Sequence, residues 1–362
     1  MPLRALATPS ALIYPGSMEP VWITSLGVAH PRHWLSQEEA ARRIGETSGE
    51  ARRVAAIAKG TKIRGRAVAL PPDAIGRLGS IEERNRIYQE VAPQIAAQAA
   101  SGALARTPAK QVGFLATSSC TGYMIPGLDV SLAQSLKLCS TTSRLPITEA
   151  GCAGGVVAIA RVADFLRVHP KASGLAIAAE VCSLAFHSHR DPGNLTSALI
   201  FGDGAGAALM ESSGEIEYGL EVVDSLSFLI PDSQDALGFA LTDQGFYPLL
   251  TRDLADLLPK PTLAAVTRLL SRHDLSLCDD VAYWLVHPGG PKILAGVQQT
   301  FGLSDHDLRW SWQSMRDFGN TSSAAIFDVL RRYTEESEAP RGWGLVIAFG
   351  PGVSLELLLV RR

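Results

Sequence analysis

Three residues with complementary chemistry stand in glycine-rich surroundings: a thiol, an imidazole and a carboxamide. Cys152 lies in Gly-Cys-Ala-Gly-Gly, His287 opens His-Pro-Gly-Gly-Pro, and Asn320 lies in Gly-Asn-Thr-Ser-Ser-Ala. A cysteine thiolate can accept an acyl group from a thioester, while imidazole and amide N–H groups can stabilise an oxygen that gains negative charge. The three residues together are suited to acyl transfer.

Cys152 is the most informative of the three. An apolar run at residues 145–147 precedes it, and an apolar, helix-patterned segment at 156–168 follows. This pattern predicts a tight strand-to-helix turn in which the first N–H groups of the helix point at the sulfur and favour the thiolate. A buried cysteine that only packs fits the same segment, because free cysteines are commonly buried.

His287 and Asn320 also have simpler interpretations. A lone histidine after a buried strand is often a core residue satisfied by a backbone carbonyl, and Asn is a preferred helix N-cap. All three residues, however, follow predicted strands, and the carboxyl ends of parallel strands lie at one edge of a sheet. We therefore expect them to meet in one pocket.

Other motif assignments fail on local context. The order Cys, His, Asn is also that of papain-like proteases, but Ala-Gly-Cys-Ala-Gly at mid-chain differs from their cysteine signature. Ala150 and Cys152 stand where a nucleophile elbow needs Gly and Ser. The glycines of 202–206 have the wrong spacing for a dinucleotide fingerprint and predict a tight turn before a strand. His187 and His189 lack supporting ligands, so a loop is expected there and no metal site.

Strands and helices alternate along the chain. The predicted strands are 21–28, 112–116, 174–181, 205–210, 216–226, 282–286, 344–349 and 353–360, and the predicted helices are 37–59, 82–104 with an interruption at Pro93, 128–138, 156–168, 254–270, 292–301 and 321–333. Alternation of this kind predicts an α/β fold with buried, mostly parallel sheets. The two halves carry similar elements, which favours an internal duplication.

Composition limits the class of protein. The 362 residues are 46% hydrophobic and 19% charged, which is typical of a soluble protein with a large core. A formal charge of −3 argues against nucleic acid or an anionic membrane as the main partner. Five scattered cysteines predict neither a disulfide framework nor a zinc site and favour a cytoplasmic location. No transmembrane segment or signal peptide is expected, and residues 1–18 are predicted to be a flexible arm.

Six motifs in order resemble the type III polyketide synthases, the chalcone synthase-like group of the thiolase superfamily, over about residues 20–361. They are Ile-Pro-Gly-Leu-Asp at 125–129, Gly-Cys-Ala-Gly-Gly at 151–155, Phe-Gly-Asp-Gly-Ala at 201–205, His-Pro-Gly-Gly-Pro at 287–291, Gly-Asn-Thr-Ser-Ser-Ala at 319–324 and Phe-Gly-Pro-Gly at 349–352. The resemblance implies a five-layered αβαβα thiolase-like fold built from two duplicated halves, 19–213 with the cysteine and 214–362 with the histidine and asparagine. It also implies a homodimer.

The resemblance implies substrates and roles as well. Cys152 would carry an acyl-CoA starter and then the growing chain, and His287 and Asn320 would hold the thioester oxygen while malonyl-CoA loses carbon dioxide. Phe201 matches the gatekeeper between the CoA tunnel and the cavity. The CoA phosphates would contact Arg53, Lys59 and Lys62, although basic residues on a surface helix are commonly only solvated. No cofactor beyond the CoA thioesters is implied.

Several positions match the walls of the family's cavity. They are Cys120, where plant enzymes have Thr, together with Ala185, Gly238, Tyr247, Ser322 and Pro351. Phe246 takes the place of Tyr247 if the register shifts by one residue. Ala185 replaces a larger Thr of the chalcone-forming enzymes, which predicts a wider pocket, longer acyl starters and a pyrone or resorcinol-type product.

Two alternative functions stay open at this point. One is a single-round enzyme like ketoacyl synthase III, which takes its substrate from an acyl carrier protein. The other is a catalytically silent homologue that binds acyl groups or serves as a dimer partner. The intact Cys152, His287 and Asn320 favour an active condensing enzyme over the second of these.

Overall fold

The computed structural model describes residues 19–74, 79–105, 111–185, 192–213, 216, 219–242, 245–251 and 254–362. Its strands are β1 (Val21–Ala29), β2 (His33–Ser36), β3 (Gly65–Val68), β4 (Val112–Ser118), β5 (Ser143–Ile147), β6 (Ser173–Val181), β7 (Asp203–Ser212), β8 (Leu220–Leu229), β9 (Leu237–Thr242), β10 (Gly245–Leu250), β11 (Val281–Val286), β12 (Trp343–Gly350) and β13 (Ser354–Arg361).

The helices alternate with these strands. They are α1 (Gln37–Ser48), α2 (Ala51–Gly60), α3 (Ile81–Ala103), α4 (Leu128–Ser135), α5 (Gly154–Val168), α6 (Cys182–Ala185), α7 (Pro192–Ile200), α8 (Leu254–Leu257), α9 (Pro259–Ser271), α10 (Pro291–Phe301), α11 (Arg309–Phe318) and α12 (Ala325–Glu335). Two 3₁₀ turns, Gly151–Ala153 and Ser322–Ala324, directly precede α5 and α12.

A nine-stranded sheet in the order β11-β12-β13-β8-β1-β7-β6-β4-β5 runs through the described part of the molecule. Three neighbouring pairs in it are parallel, namely β11–β12, β4–β5 and β4–β6, and the other five are antiparallel. The prediction of a mostly parallel sheet is therefore wrong. One reason is local: the connection from β12 to β13 spans only residues 351–353, and so short a link can join antiparallel strands but not parallel ones.

The sheet divides into two halves that α5 and α12 separate. Neighbouring residues of β6 alternate between the core around α5 and α12 (Ala176, Ala178) and the core under α3 (Leu175, Ile177). Strand β12 alternates in the same way, with Val346 facing α5 and α12. The alternate residues of β12, Leu345 and Ile347, belong to a second core, which α9 and α10 cover. The order is helix, sheet, helix, sheet, helix, which is the expected five-layered thiolase-like fold.

Some predicted helices differ from the observed ones. The segment 37–59 forms two helices, because Gly49 closes α1 in the left-handed conformation at φ 74°. The segment 254–270 also divides, since Pro259 starts α9 at a position where a missing N–H has no cost. Helix α3, by contrast, continues through Pro93. No helix in the described residues is long and apolar enough to cross a membrane.

Close backbone packing at Gly155 fixes the position of α5 against the second 3₁₀ turn. A Cβ atom at this glycine would lie 2.2 Å from the carbonyl oxygen of Ser323 and 2.9 Å from the side chains of Ile326 and Phe327. Any larger residue must push α5 away from the turn that follows Asn320. The distance between the segment of Cys152 and the segment of Asn320 therefore depends on Gly155.

We expect Gly155→Ala to destabilise the protein by about 1–3 kcal/mol, because overpacking a closed interface forces the backbone to move. The measurement is the midpoint of urea denaturation. Gly296→Ala is the matched control, since a Cβ there meets no atom within 4 Å in the interior of α10. It should be neutral or stabilising by roughly 1 kcal/mol. Equal midpoints for the two variants would contradict this account of the packing.

Candidate active site

Cys152 lies in the first 3₁₀ turn, between the end of β5 and the start of α5. This is the strand-to-helix turn that the sequence predicts. Gly151 has φ +53°, and a Cβ atom there would lie 2.5 Å from Cδ of Pro351. A glycine is needed at this position for both its backbone conformation and the close approach of Pro351. Pro351 thus packs directly against the cysteine turn.

The carboxamide of Asn320 faces the thiol. Its Nδ2 lies 3.8 Å from Sγ of Cys152 and donates to the backbone oxygen of Gly289 at 3.2 Å. Its Oδ1 accepts a hydrogen bond from the backbone N–H of Ser322 at 2.8 Å. Asn320 is not a helix N-cap, because Thr321 precedes the second 3₁₀ turn and α12 begins only at Ala325. The oxygen of the amide accepts from the N–H two residues on, while its nitrogen contacts the thiol.

His287 follows β11 and is 1% exposed. Both of its ring nitrogens are buried without a hydrogen-bond partner in the described structure, so the interpretation as a core histidine satisfied by a carbonyl is wrong. A Cβ atom at Gly289 would lie 3.6 Å from Nε2 of His287. Gly289 therefore connects His287 to Asn320, and Asn320 contacts Cys152. An unpaired buried imidazole is costly unless a substrate supplies its partner.

Burial controls the charge of both titratable groups. It raises the pKa of Cys152 to about 11, although hydrogen bonds with Ser322 and Asn320 oppose the shift. Burial also lowers the pKa of His287 to about 3. At neutral pH, Cys152 is therefore a thiol and His287 an uncharged imidazole. The start of the helix alone does not ionise Cys152, which corrects the sequence expectation; a thiolate needs a positive partner.

Sequence reasoning missed Glu180, a fully buried carboxylate near the end of β6. It accepts hydrogen bonds from the backbone N–H of Cys120 at 3.1 Å, from Oγ1 of Thr121 at 2.8 Å and from Oγ of Ser322 at 3.4 Å. Burial raises the pKa of Glu180, and hydrogen bonds from Ser323, Cys120 and Thr121 oppose that shift. The available signal was one acidic residue in an otherwise apolar strand.

Cys120 and Ser322, both predicted to line the cavity, lie together beside Glu180. Sγ of Cys120 is 3.7 Å from Oγ of Ser322 and 3.5 Å from Oε1 of Glu180. Burial raises the pKa of Cys120 well above its usual value, so this second sulfur stays a thiol. Ser322 adopts φ +51°, which is unusual for a residue with a side chain and typical of functional sites.

The backbone of Phe201 lies beside that of Asn320. The two residues form a parallel β-bridge, in which the N–H of Asn320 donates to the carbonyl of Ile200 at 2.8 Å and the N–H of Gly202 donates to the carbonyl of Asn320 at 3.0 Å. Strand β7 begins at Asp203, so Gly204 and Gly206 lie within the strand and the prediction of a tight turn over 202–206 is wrong.

The remaining cavity positions lie on or near the β9–β10 ribbon. Gly238 is paired with Leu249, and a Cβ atom at this glycine would meet nothing within 4 Å. Phe246 lines a cavity together with Thr121, the residue that binds Glu180. Because neighbouring residues of a strand point to opposite faces, Tyr247 points away from the cavity that Phe246 lines. The position of Phe246 therefore favours it over Tyr247 as the second gatekeeper.

Three features that the sequence analysis singles out lie wholly or partly outside the described structure. Ala185 ends α6, but its side chain is outside the described part, and so are residues 1–18 and the loop with His187 and His189. Within the described residues, no group of three His, Cys, Asp or Glu side chains is placed to hold a metal ion. The role of Ala185 in cavity width stays a prediction.

The basic residues expected at the CoA phosphates have other contacts in the structure. Arg53 forms an ion pair with Glu50 at 2.9 Å on the surface of α2, and Lys59 lies exposed in the last turn of that helix. The ammonium group of Lys62 lies 4.4 Å from the ring centroid of Trp312. Their role in binding CoA stays a prediction.

Comparison with known proteins agrees with this arrangement. The family model of the N-terminal domain of chalcone and stilbene synthases matches residues 20–214, and the model of their C-terminal domain matches residues 221–362. A 1,3,6,8-tetrahydroxynaphthalene synthase from Streptomyces peucetius subsp. caesius is 32% identical over 83% of this chain and 81% of that protein. A putative chalcone synthase from Bacillus subtilis is 32% identical over 93% of this chain and 98% of its own length.

Other relatives and solved structures extend the likeness. The protein named alpha-pyrone synthesis polyketide synthase-like Pks18 from Mycobacterium tuberculosis is 28% identical over 93% of this chain and 90% of that protein. The crystal structure of 1,3,6,8-tetrahydroxynaphthalene synthase from Streptomyces coelicolor, a bacterial type III polyketide synthase, superposes with a TM-score of 0.87 at 28% identity, covering 95% of this chain and 99% of that one. The chain belongs to the chalcone and stilbene synthase family.

Proposed function

We propose that this protein is a type III polyketide synthase that adds malonyl-CoA units repeatedly to an acyl-CoA starter and cyclises the product to a pyrone or a resorcinol-type ring. The observation that carries the proposal is the position of the Asn320 amide, which faces the Cys152 thiol and donates to the carbonyl of Gly289. Gly289 in turn lies close to the imidazole of His287, whose nitrogens have no hydrogen-bond partner among the described residues. Membership of the family and relatives named for polyketide synthesis support it.

Loading of the starter begins at Cys152. The sulfur attacks the thioester carbonyl of the acyl-CoA while the thiol proton passes to His287, and the carbonyl electrons move to the oxygen. An N–H of Asn320 can stabilise that oxygen. When the tetrahedral intermediate collapses, the bond to the CoA sulfur breaks and the proton returns from His287 to CoA. Burial disfavours each charge alone, but a thiolate and an imidazolium formed together stabilise one another.

Decarboxylation and extension use the same donors. His287, with one N–H, and Asn320 hold the thioester oxygen of malonyl-CoA while the bond to its carboxylate breaks and carbon dioxide leaves. The electron pair moves to that oxygen and forms an enolate. The enolate carbon then attacks the acyl group on Cys152, and the sulfur departs as a thiolate. Repetition lengthens the chain until a ring closes.

The larger assembly belongs to the same proposal. We infer two thiolase-like halves, 19–213 and 214–362, and a homodimer. The family models divide the chain close to this boundary, and Tyr123 and Ile125 present a strongly exposed apolar surface, 65% and 79% exposed, that a second subunit would cover. Acyl-CoA and malonyl-CoA are the proposed substrates, and no further cofactor is needed for the chemistry described.

Replacement of the three site residues should separate the steps. Cys152→Ala should abolish acylation of the protein and all polyketide release, because no other described sulfur takes its place. His287→Gln and Asn320→Ala should each lower decarboxylation of malonyl-CoA by about 10²–10³-fold, since each loses a donor to the enolate oxygen. The measurement is mass spectrometry of intact protein and of products, with starters from acetyl-CoA to palmitoyl-CoA. Polyketide from Cys152→Ala would refute the proposal, and arrest after one condensation would favour a ketoacyl synthase III-like enzyme.

The ionisation of Cys152 should depend on His287. With the imidazole neutral, burial holds the pKa of Cys152 near 11, and a protonated His287 would lower it. In His287→Gln, alkylation of Cys152 by iodoacetamide should therefore rise steadily from pH 7 to pH 10, by about tenfold per unit. The wild-type protein should reach its plateau at lower pH.

Cys139 supplies an internal control for that titration. It is exposed, and its pKa is lowered by a hydrogen bond with Thr141, so its alkylation profile should be the same in both proteins. Peptide mass spectrometry reports both cysteines in one sample. Identical Cys152 profiles in wild type and His287→Gln would show that no ion pair forms between the two residues.

The space at Gly238 should limit the length of the acyl chain. A Cβ atom at this position meets nothing within 4 Å, so Gly238→Leu should fold normally while filling the volume in front of the ribbon. We expect activity with palmitoyl-CoA to fall by about tenfold or more relative to acetyl-CoA, which corresponds to roughly 1.4 kcal/mol of lost transition-state binding. A uniform loss across all starters would place Gly238 away from the acyl chain.

A further inference from the structure

Arg66 on β3 is a buried cation without a carboxylate partner. It is 1% exposed, and no ion pair to it occurs among the described residues. Its Nη1 donates to the backbone oxygens of Ala198 at 3.0 Å and Phe201 at 3.4 Å, while Nε and Nη2 are buried without a hydrogen-bond partner. Burial lowers the pKa of Arg66 to about 10, so the side chain remains positive at neutral pH.

The nearby carboxylate of Asp203 is engaged elsewhere. It accepts hydrogen bonds from the backbone N–H groups of Ala69 at 2.6 Å and Ser183 at 2.7 Å, and from the hydroxyl of Ser183. Arg66 therefore directs its hydrogen bonds to main-chain carbonyls alone. A buried charge with unused donors is costly, which calls for an explanation beyond packing.

The carbonyls that Arg66 contacts belong to the backbone that holds Asn320. Its stem packs on Gly202, where a Cβ atom would lie 2.9 Å from Cβ of Arg66. The N–H of Gly202 donates to the carbonyl of Asn320, and the carbonyl of Ile200 accepts from the N–H of Asn320. Arg66 thus packs against the short β-bridge between Phe201 and Asn320. That bridge fixes the position of the Asn320 backbone, and so of its carboxamide, relative to the thiol.

The Phe201 carbonyl and the Gly202 N–H belong to one peptide group. A cation at the oxygen draws electron density toward it and makes the N–H at the other end a stronger donor. The hydrogen bond from Gly202 to Asn320 is then strengthened by the positive charge of Arg66. A neutral side chain of similar shape would fill the space but would not polarise this peptide.

We propose that Arg66 is a positioning residue, which acts through the Phe201–Gly202 peptide group to hold the Asn320 carboxamide in place for the decarboxylation step. The inference rests on the function proposed above, because it needs Asn320 to act on the malonyl thioester. Asn320 assists starter loading, but the nucleophile Cys152 and the proton acceptor His287 carry that step, whereas decarboxylation has only the donors of His287 and Asn320. Loss of the Arg66 charge should therefore lower decarboxylation more than loading.

Arg66→Lys and Arg66→Gln test the charge, since both can donate to a carbonyl and only the lysine is positive. Acetyl-CoA formation from malonyl-CoA reports decarboxylation, and the intact mass of the protein after mixing with an acyl-CoA reports loading. Arg66→Gln should decarboxylate about tenfold more slowly than Arg66→Lys, while the two load at rates within about twofold of each other.

Arg167→Gln is the matched control. Its side chain is also buried and donates to two backbone carbonyls, those of Val222 at 2.9 Å and Val223 at 3.0 Å. It lies in the last turn of α5, on the order of 20 Å from the cysteine turn at 1.5 Å of helix rise per residue. This variant should change decarboxylation and loading by the same factor.

The double variant Arg66→Gln, Asn320→Ala distinguishes positioning from general support of the fold. Because Arg66 acts through Asn320, its loss should lower decarboxylation by less than about twofold once the carboxamide is gone. A further tenfold loss, or equal losses of loading and decarboxylation in Arg66→Gln, would overturn the inference. If Arg66→Gln does not fold, Arg66→Lys is compared with the wild-type protein instead. Equal losses of loading and decarboxylation in Arg66→Lys would then also overturn the inference. A wild-type protein that neither loads nor decarboxylates would instead overturn the proposed function.

Discussion

The Asn320 carboxamide makes the contacts that join the two matched domains at the site. Its nitrogen reaches the sulfur of Cys152 and the carbonyl of Gly289, and its oxygen accepts from the N–H of Ser322. Its backbone is bridged to the strand-like segment at Phe201. Cys152 and Phe201 belong to the N-terminal domain match, whereas Gly289 and Asn320 belong to the C-terminal one. A shift between the domains would break these contacts together, so the central helix layer must be rigid.

Burial of polar groups gives this site its chemical character. Among the described residues, the imidazole of His287 has no hydrogen-bond partner, Glu180 lies fully buried among hydroxyl and N–H donors, and the guanidinium of Arg66 donates only to main-chain carbonyls. Each arrangement costs stability, because water would solvate these groups better than the protein does. In a site of low dielectric, however, an N–H that is not already bonded interacts strongly with a developing oxyanion. The unpaired state of His287 is the property that a charge-stabilising group requires.

Much of the site was predictable because its residues stand in short, chemically distinctive segments. The thiol, imidazole and carboxamide were each recognised from their type and from the glycines around them. The structure brings the carboxamide to the thiol and to the carbonyl of Gly289, two residues after the imidazole. Glu180 was missed because its role depends on partners from two distant segments, Cys120 with Thr121 and Ser322. No local pattern reports such a network. Arg66 was overlooked for the same reason, since the carbonyls that it contacts, those of Ala198 and Phe201, lie more than 130 residues away in sequence.

The fold was predictable in its layers but not in its strand directions. Apolar runs identify buried strands, yet they carry no information on whether a neighbour is parallel, and five of the eight neighbouring pairs are antiparallel. Helix boundaries also depended on single residues, as Gly49 and Pro259 show. Periodicity predicts which face of an element is buried, whereas chain direction depends on connections that are made far away in sequence.

The close approach of backbone segments explains why small residues surround the nucleophile. A Cβ atom at Gly154 would lie 2.0 Å from Oγ of Ser118, and one at Gly155 would lie 2.2 Å from the Ser323 carbonyl. The first turn of α5 is thus held between the Ser118 side chain of β4 and the backbone of the second 3₁₀ turn. Main-chain contacts are stiffer than side-chain packing, because they offer no rotamers through which the structure can relax. The separation of sulfur and carboxamide therefore depends on the close approach of the backbone at Gly155 to the Ser323 carbonyl.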